Sequence, residues 1–178
     1  MPTIRTARPD DIPAMEALIK RSGIGLSAGF YTPEQAQAVT QHVFGVDTRL
    51  VEDQTYFVIE QDGRLAACGG WSKRATLFGA DRMKQGADPL LDPATEPARI
   101  RAFFVDPSAA RQGLGRLLLQ HCTDAAKADG FTALELAATM PVVPLYRACG
   151  FNEVEPFEIT LPPGIQVPLT RMRKLLID

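Results

Sequence analysis

Six consecutive residues could grip an anion through the main chain: Arg111, Gln112, Gly113, Leu114, Gly115 and Arg116. Glycine lets a ligand come close to the backbone. From Leu114 onward, Leu117, Leu118, Cys122 and Ala125 follow at helical spacing and lay one apolar stripe on a helix. The glycine loop therefore opens a helix. The first amides of a helix have no internal partner, and the helix dipole is positive there. Together they make a site for phosphate groups. Arg111 and Arg116 flank the loop and add point charges or bidentate contacts. A nucleotide-binding reading is weaker, because Gly-Lys-Ser/Thr and the spaced three-glycine dinucleotide pattern are both missing.

The loop needs something in front of it. Ile100, Ala102, Phe103, Phe104 and Val105 form a mostly apolar run bounded by Asp106-Pro107, as for a buried strand. Pro107 cannot donate to a ladder, so the strand stops there. Earlier in the chain, Thr3 to Ala7 is a short opening strand. Asp10-Asp11 supplies acidic residues to the start of a helix through Met15, Leu18 and Ile19, ended by Gly23, Gly25 and Gly29. Ser22 to Tyr31 is then either a binding segment or a solvated connector. Thr32-Pro33-Glu34 is an N-cap with proline at the first helical position, and a helix follows to about Phe44. Tyr56 to Glu60 and Leu65 to Lys73 pair as a hairpin around Asp62-Gly63, with Gly69-Gly70 marking a bulge. Ala75 to Glu96 loses all period, and a connection of that length is often functional. Its acidic excess would favour a cationic partner, although a solvated loop explains it equally well. After the central helix, Asp129-Gly130 is a stop, Phe131 to Ala138 a strand and Pro141 to Cys149 a short helix. Asn152 to Leu161 and Gln166 to Leu176 close as a hairpin around Pro162-Pro163-Gly164.

Ala110-Arg111-Gln112-Gly113-Leu114-Gly115 resembles the acyl-CoA-binding signature of the GNAT superfamily of N-acetyltransferases, with Ala110 where Gln or Arg is usual. Leu145-Tyr146-Arg147-Ala148-Cys149-Gly150-Phe151 resembles that superfamily's later Tyr-x-x-x-Gly-Phe element. The resemblance covers about residues 98 to 155. It implies an α/β (mixed α+β) fold with a twisted mixed sheet of about seven strands and helices on both faces. The strands at Ile100 and Phe131 would splay apart, with a pantetheine arm in the gap. It also implies acetyl-CoA as co-substrate and direct transfer to an amine of a small molecule or of a protein lysine or N-terminus.

By the same resemblance, backbone groups of Phe103, Phe104 and Val105 would meet the pantetheine and polarise the carbonyl. Amides from Arg111 to Arg116 would hold the pyrophosphate, and Tyr146 would protonate the departing thiolate. A phenol with a pKa near 10 suits that task at neutral pH. For the base, Glu135 on the later strand, Glu96 upstream of the central strand and a chain of waters remain open. A non-catalytic acyl-CoA-binding sensor is the alternative reading. It would not depend on Tyr146.

Composition narrows the classes further. With 178 residues, the chain fits one domain, 1–178, with a substantial core. A net charge of −2 and a pI near 5.7 argue against a nucleic-acid or membrane-surface binder. Two separated histidines and no Cys-x-x-Cys make a metal site unexpected. Three cysteines fit reduced thiols in a cytoplasm, and no apolar run is long enough for a signal peptide or a membrane span. A homodimer is compatible with all of this.

Overall fold

The computed structural model describes residues 1–25, 29–79, 81 and 87–176. Its strands are β1 (Thr3–Thr6), β2 (Tyr56–Gln61), β3 (Arg64–Ser72), β4 (Ala98–Val105), β5 (Ala133–Thr139), β6 (Asn152–Leu161) and β7 (Ile165–Leu175). The helices are α1 (Ile12–Gly25), α2 (Pro33–His42), α3 (Thr48–Glu52), α4 (Leu114–Ala128) and α5 (Val143–Ala148). The strands form one seven-stranded sheet in the order β1-β2-β3-β4-β5-β7-β6. Every neighbouring pair is antiparallel except β4 with β5. That parallel junction requires a crossover, which α4 supplies. Among the described residues, no helix is long and apolar enough to cross a membrane.

Each face of the sheet is covered by helices whose apolar stripes the sequence spells out. On one face Leu114, Leu118, Leu119, Cys122 and Ala126 of α4 pack on Phe57, Ile59, Ala67, Ile100, Leu134 and Leu136. On the other, Met15, Leu18 and Ile19 of α1 meet Tyr56, Val58, Cys68 and Phe104. Local chemistry sets several boundaries. Thr32 Oγ1 accepts from the Gln35 amide at 3.1 Å and Gln35 Oε1 from the Thr32 amide at 3.0 Å, a reciprocal cap that starts α2. Asp62 and Gly63, at φ +53° and +77°, make the tight hairpin turn between β2 and β3.

Two sequence expectations need correction, while α1 ends at Gly25, one of the three glycines expected to end it. A β-carbon at Gly23 would lie 2.6 Å from Thr40 Oγ1 and 2.7 Å from the Phe44 ring, so this glycine serves helix contact instead of termination. α3 was not expected; Asp47 starts it by accepting from the Arg49 amide at 3.2 Å. The segment from Ala75 to Glu96 is not structureless where it is described. Arg74 bridges Leu90, the Ala75 amide donates to the Pro89 carbonyl at 2.9 Å, and the Leu91 amide to the Lys73 carbonyl at 2.7 Å. The proposed binding segment Ser22 to Tyr31 lies partly outside the described residues.

Candidate active site

β4 and β5 pair only at Ala98 with Leu134 and Arg99 with Glu135, and then diverge. β5 stays bonded to β7 along its whole length, from Ala133–Leu175 to Thr139–Leu169. β4 stays with β3 but is bent by a bulge, where Ala102 and Phe103 together face Gly69. The bulge expected at Gly69-Gly70 therefore lies on the partner strand. Ala102 is held at φ +58°, a conformation that costs about 1–3 kcal/mol in a non-glycine residue. Its carbonyl accepts from the buried Tyr56 hydroxyl at 3.1 Å, which helps hold it there. Gly69 is required opposite, since a β-carbon there would come within 2.6 Å of the Phe103 ring.

The bulge resets which side of the sheet each β4 residue faces. Ala98 and Ile100 point to the α4 side; after Ala102, Phe103 and Val105 do, while Phe104 packs on the α1 side. Beyond Arg99, the β5-facing backbone edge of β4 has no strand partner. Unsatisfied backbone groups are costly when buried, so this edge suits a ligand that can complete the ladder. A cavity of about 170 Å³ occupies the gap. Phe103, Phe104 and Val105 line it on one side, Leu136, Ala137 and Thr139 on the other, and Tyr146 closes one end.

The glycine loop adjoins that end. After the Ala110 amide donates to the Pro107 carbonyl at 3.3 Å, the amides of Arg111 through Arg116 find no backbone acceptor among the described residues. Arg111 and Gly113 take left-handed φ values of +61° and +81° on either side of Gln112. Alternating backbone handedness of this kind turns successive amides into one concavity, an anion nest. A β-carbon on Gly113 would meet nothing within 4 Å, so space above the loop is open. Gly115 lines the cavity for a different reason. A β-carbon there would sit 3.1 Å from Leu145 Cδ2, so its absence lets α5 approach α4. The Leu114 side chain is buried in the core, and the Gln112 side-chain Oε1 accepts from Gln61 Nε2 at 3.3 Å. Arg111 and Arg116 are exposed, and neither forms an ion pair with a described residue.

Tyr146 is buried, its ring 6.2 Å from that of Phe103 and 5.5 Å from that of Phe151. Its hydroxyl has no hydrogen-bond partner among the described residues. Burial pushes its pKa well above the ordinary phenol value, helped by the nearby thiols of Cys122 and Cys149. Tyr146 is therefore held in its neutral form beside the gap.

Neither carboxylate considered for proton abstraction lines the cavity. Glu135 is buried at the closed end of the gap, where Oε1 accepts from Arg171 Nη1 at 3.0 Å and lies 3.7 Å from Arg99 Nη1. Its carboxylate is thus engaged by two guanidiniums. Glu96 is exposed and accepts from the Asp92 amide at 2.9 Å, outside the cavity wall.

The sequence reading passed over two residues. Arg101 lies next to the bulge, almost fully buried, and pairs with Asp47, with Asp88 at 3.8 Å and with the Gly79 carbonyl at 3.2 Å. A second arginine, two residues after Arg99, inside a strand whose other residues are apolar was the available signal. The Tyr31 hydroxyl donates to the Pro168 carbonyl at 2.7 Å and accepts from the Met140 amide at 3.0 Å, tying the start of α2 to the ends of β5 and β7. Nothing local in the sequence marks that role.

The sheet order, the bulged and splayed strand pair, and the open-amide loop together define an acyl-CoA N-acyltransferase type of fold. The model of the acetyltransferase (GNAT) family matches residues 26–151, and the chain belongs to that family. The ribosomal protein bS18 alanine N-acetyltransferase of Escherichia coli (strain K12) is 36% identical over 73 residues, 39% of this chain and 49% of that relative. The match thus spans about half the length of that curated relative. Two solved structures share the fold. A GCN5-related N-acetyltransferase from Rhodopseudomonas palustris superposes with a TM-score of 0.70 at 17% identity, covering 99% of this chain and 96% of that one. The acetyltransferase yncA of Salmonella typhimurium, solved with its cofactor acetyl-CoA, gives 0.65 at 17% identity, covering 100% and 95%.

Proposed function

We propose that the protein transfers the acetyl group of acetyl-CoA directly to an amine in a ternary complex. One observation carries this reading: a row of open amides from Arg111 to Arg116 leads straight to a strand edge left unpaired beside Tyr146. The amides and the exposed Arg111 and Arg116 would hold the pyrophosphate. The backbone of Phe103 to Val105 would pair with the pantetheine arm as a missing strand does, and hold the carbonyl where charge develops. When bound, acetyl-CoA supplies the activated thioester. Tyr146 donates its proton to the departing sulfur. Water takes the proton from the amine, and Glu135 serves by holding β4, β5 and β7 together at the closed end. The three free cysteines fit a reducing, cytoplasmic setting, and none of them is needed for direct transfer.

Calorimetry with coenzyme A and a Tyr146→Phe variant test the reading. Binding should persist in the variant while kcat falls about 100-fold or more, the usual contribution of a general acid. Tight binding with no turnover on any amine would instead describe an acyl-CoA sensor. No binding at all would remove both.

A further inference from the structure

The acceptor end of the cavity lies beyond Phe104, between α1, the loop that follows α2 and the segment that follows β3. Its walls are Gly23, Val43, Phe44, Leu77, Phe78 and Leu169. Among the described residues lining the cavity there is no carboxylate, and Arg101 is the one charged side chain. The acidic residues of the segment that follows β3, and Glu16 and Asp47 beside it, are committed elsewhere. Asp81 accepts from the Thr48 amide at 3.0 Å, Asp88 from the Thr76 amide at 2.8 Å, and Asp92 from the Ala94 amide at 3.0 Å. Glu16 accepts from the Val46 amide at 3.0 Å, and Asp47 pairs with Arg101. The acidic excess counted between Ala75 and Glu96 is thus spent on local amides and on an arginine. None of it faces the cavity.

We infer that the acceptor is a small amine whose body beside the nitrogen is apolar or aromatic and carries no second cation. The inference rests on the acetyl-transfer reading and specifies its substrate. An ammonium placed among Val43, Phe44, Leu77 and Phe78 would lose its hydration and find no carboxylate, whereas an aromatic ring would exchange water for apolar contact. Phe44 and Phe78 set this preference. Phe44 is fixed edge-on to Phe104 with centroids 4.9 Å apart, and Phe78 lies 5.9 Å from Phe157 of β6. The second contact joins the segment after β3 to the β6–β7 hairpin across this end, which fits a compact acceptor better than an extended peptide.

The test compares kcat/KM at saturating acetyl-CoA for 2-phenylethylamine, spermidine and a peptide amide beginning with alanine. 2-Phenylethylamine should lead by about tenfold or more, the discrimination that burying part of a ring in an apolar pocket supports. Phe78→Ala should erase most of that lead, and its coenzyme A binding heat reports whether the variant is folded. Leu77→Ala offers a second, milder opening of the same wall should Phe78→Ala fail to fold. A lead for spermidine or for the peptide overturns the inference while leaving acetyl transfer standing. Absence of turnover with every amine, despite coenzyme A binding, overturns the acetyl-transfer reading and this inference with it.

Discussion

Replacing Arg101 with methionine should damage both stability and the acceptor wall. The Arg101 side chain is 2% exposed, and its partners Asp47 and Asp88 are 1% and 6% exposed. Methionine fills much of the same volume but leaves two buried carboxylates without their guanidinium. Breaking a buried ion pair by removing one partner costs about 3–5 kcal/mol. For a chain of 178 residues that corresponds to a fall in Tm of roughly 6–20 °C. The same arginine binds the Gly79 carbonyl and, through Asp47 and Asp88, the segments that carry Val43 to Gly45 and Leu77 to Gly79. Acceptor KM should therefore rise while coenzyme A affinity, which we assign to the loop at Arg111 to Arg116, stays within twofold or so. Arg101→Lys should fall between the two, because one ammonium cannot reach three partners as a planar guanidinium does. Thermal melts with and without coenzyme A, together with acceptor kinetics, supply the readings. A Tm within 2 °C or so of wild type would refute the account of Arg101 as the anchor of this wall.

Three further outcomes follow from the geometry. Gly113→Val places a β-branched residue at φ +81°, which costs about 1–2 kcal/mol and should weaken coenzyme A binding roughly tenfold by calorimetry, with little change in the fold. Burial pushes the Cys68 thiol up to about 12 from 9.0 and raises Tyr146 above 10.0, so both groups favour the neutral form in the folded state. Their contribution is complete below the ordinary values and is lost as pH rises from these to the raised values of the folded state. Denaturant titrations should show stability falling by about 1.4 kcal/mol per pH unit per group above pH 9 for Cys68 and above pH 10 for Tyr146, and activity should have no alkaline limb from Tyr146 below pH 10. Glu135→Gln should lower Tm without moving the acidic limb of the kcat/KM profile; a displaced limb would make Glu135 the base after all.

Much of the chain is legible before any coordinates because the relevant forces act over a few residues. The N-cap at Thr32, the Asp62-Gly63 turn and the glycine loop around Gly113 each follow from what neighbouring backbone groups demand. The loop from Arg111 to Arg116 is of this kind, as is the stripe of α4 behind it, and so the open-amide half of the candidate site could be read directly. The apolar run of β4 announced a buried strand too. It could not announce a bulge, since every residue from Ala102 to Val105 suits burial on either side.

Tertiary structure alone decided the rest. That Ala102 would turn to φ +58° depends on Tyr56, 46 residues away in sequence, and on the bare surface of Gly69. Glu135 looked like a free carboxylate on a strand until register set it between Arg99 and Arg171. The acidic residues between Ala75 and Glu96 looked like an invitation to cations until folding gave each of them an amide or an arginine. Local sequence specifies which groups a residue offers and which backbone angles it tolerates. Whether a charge is spent or available depends on which distant segment arrives beside it.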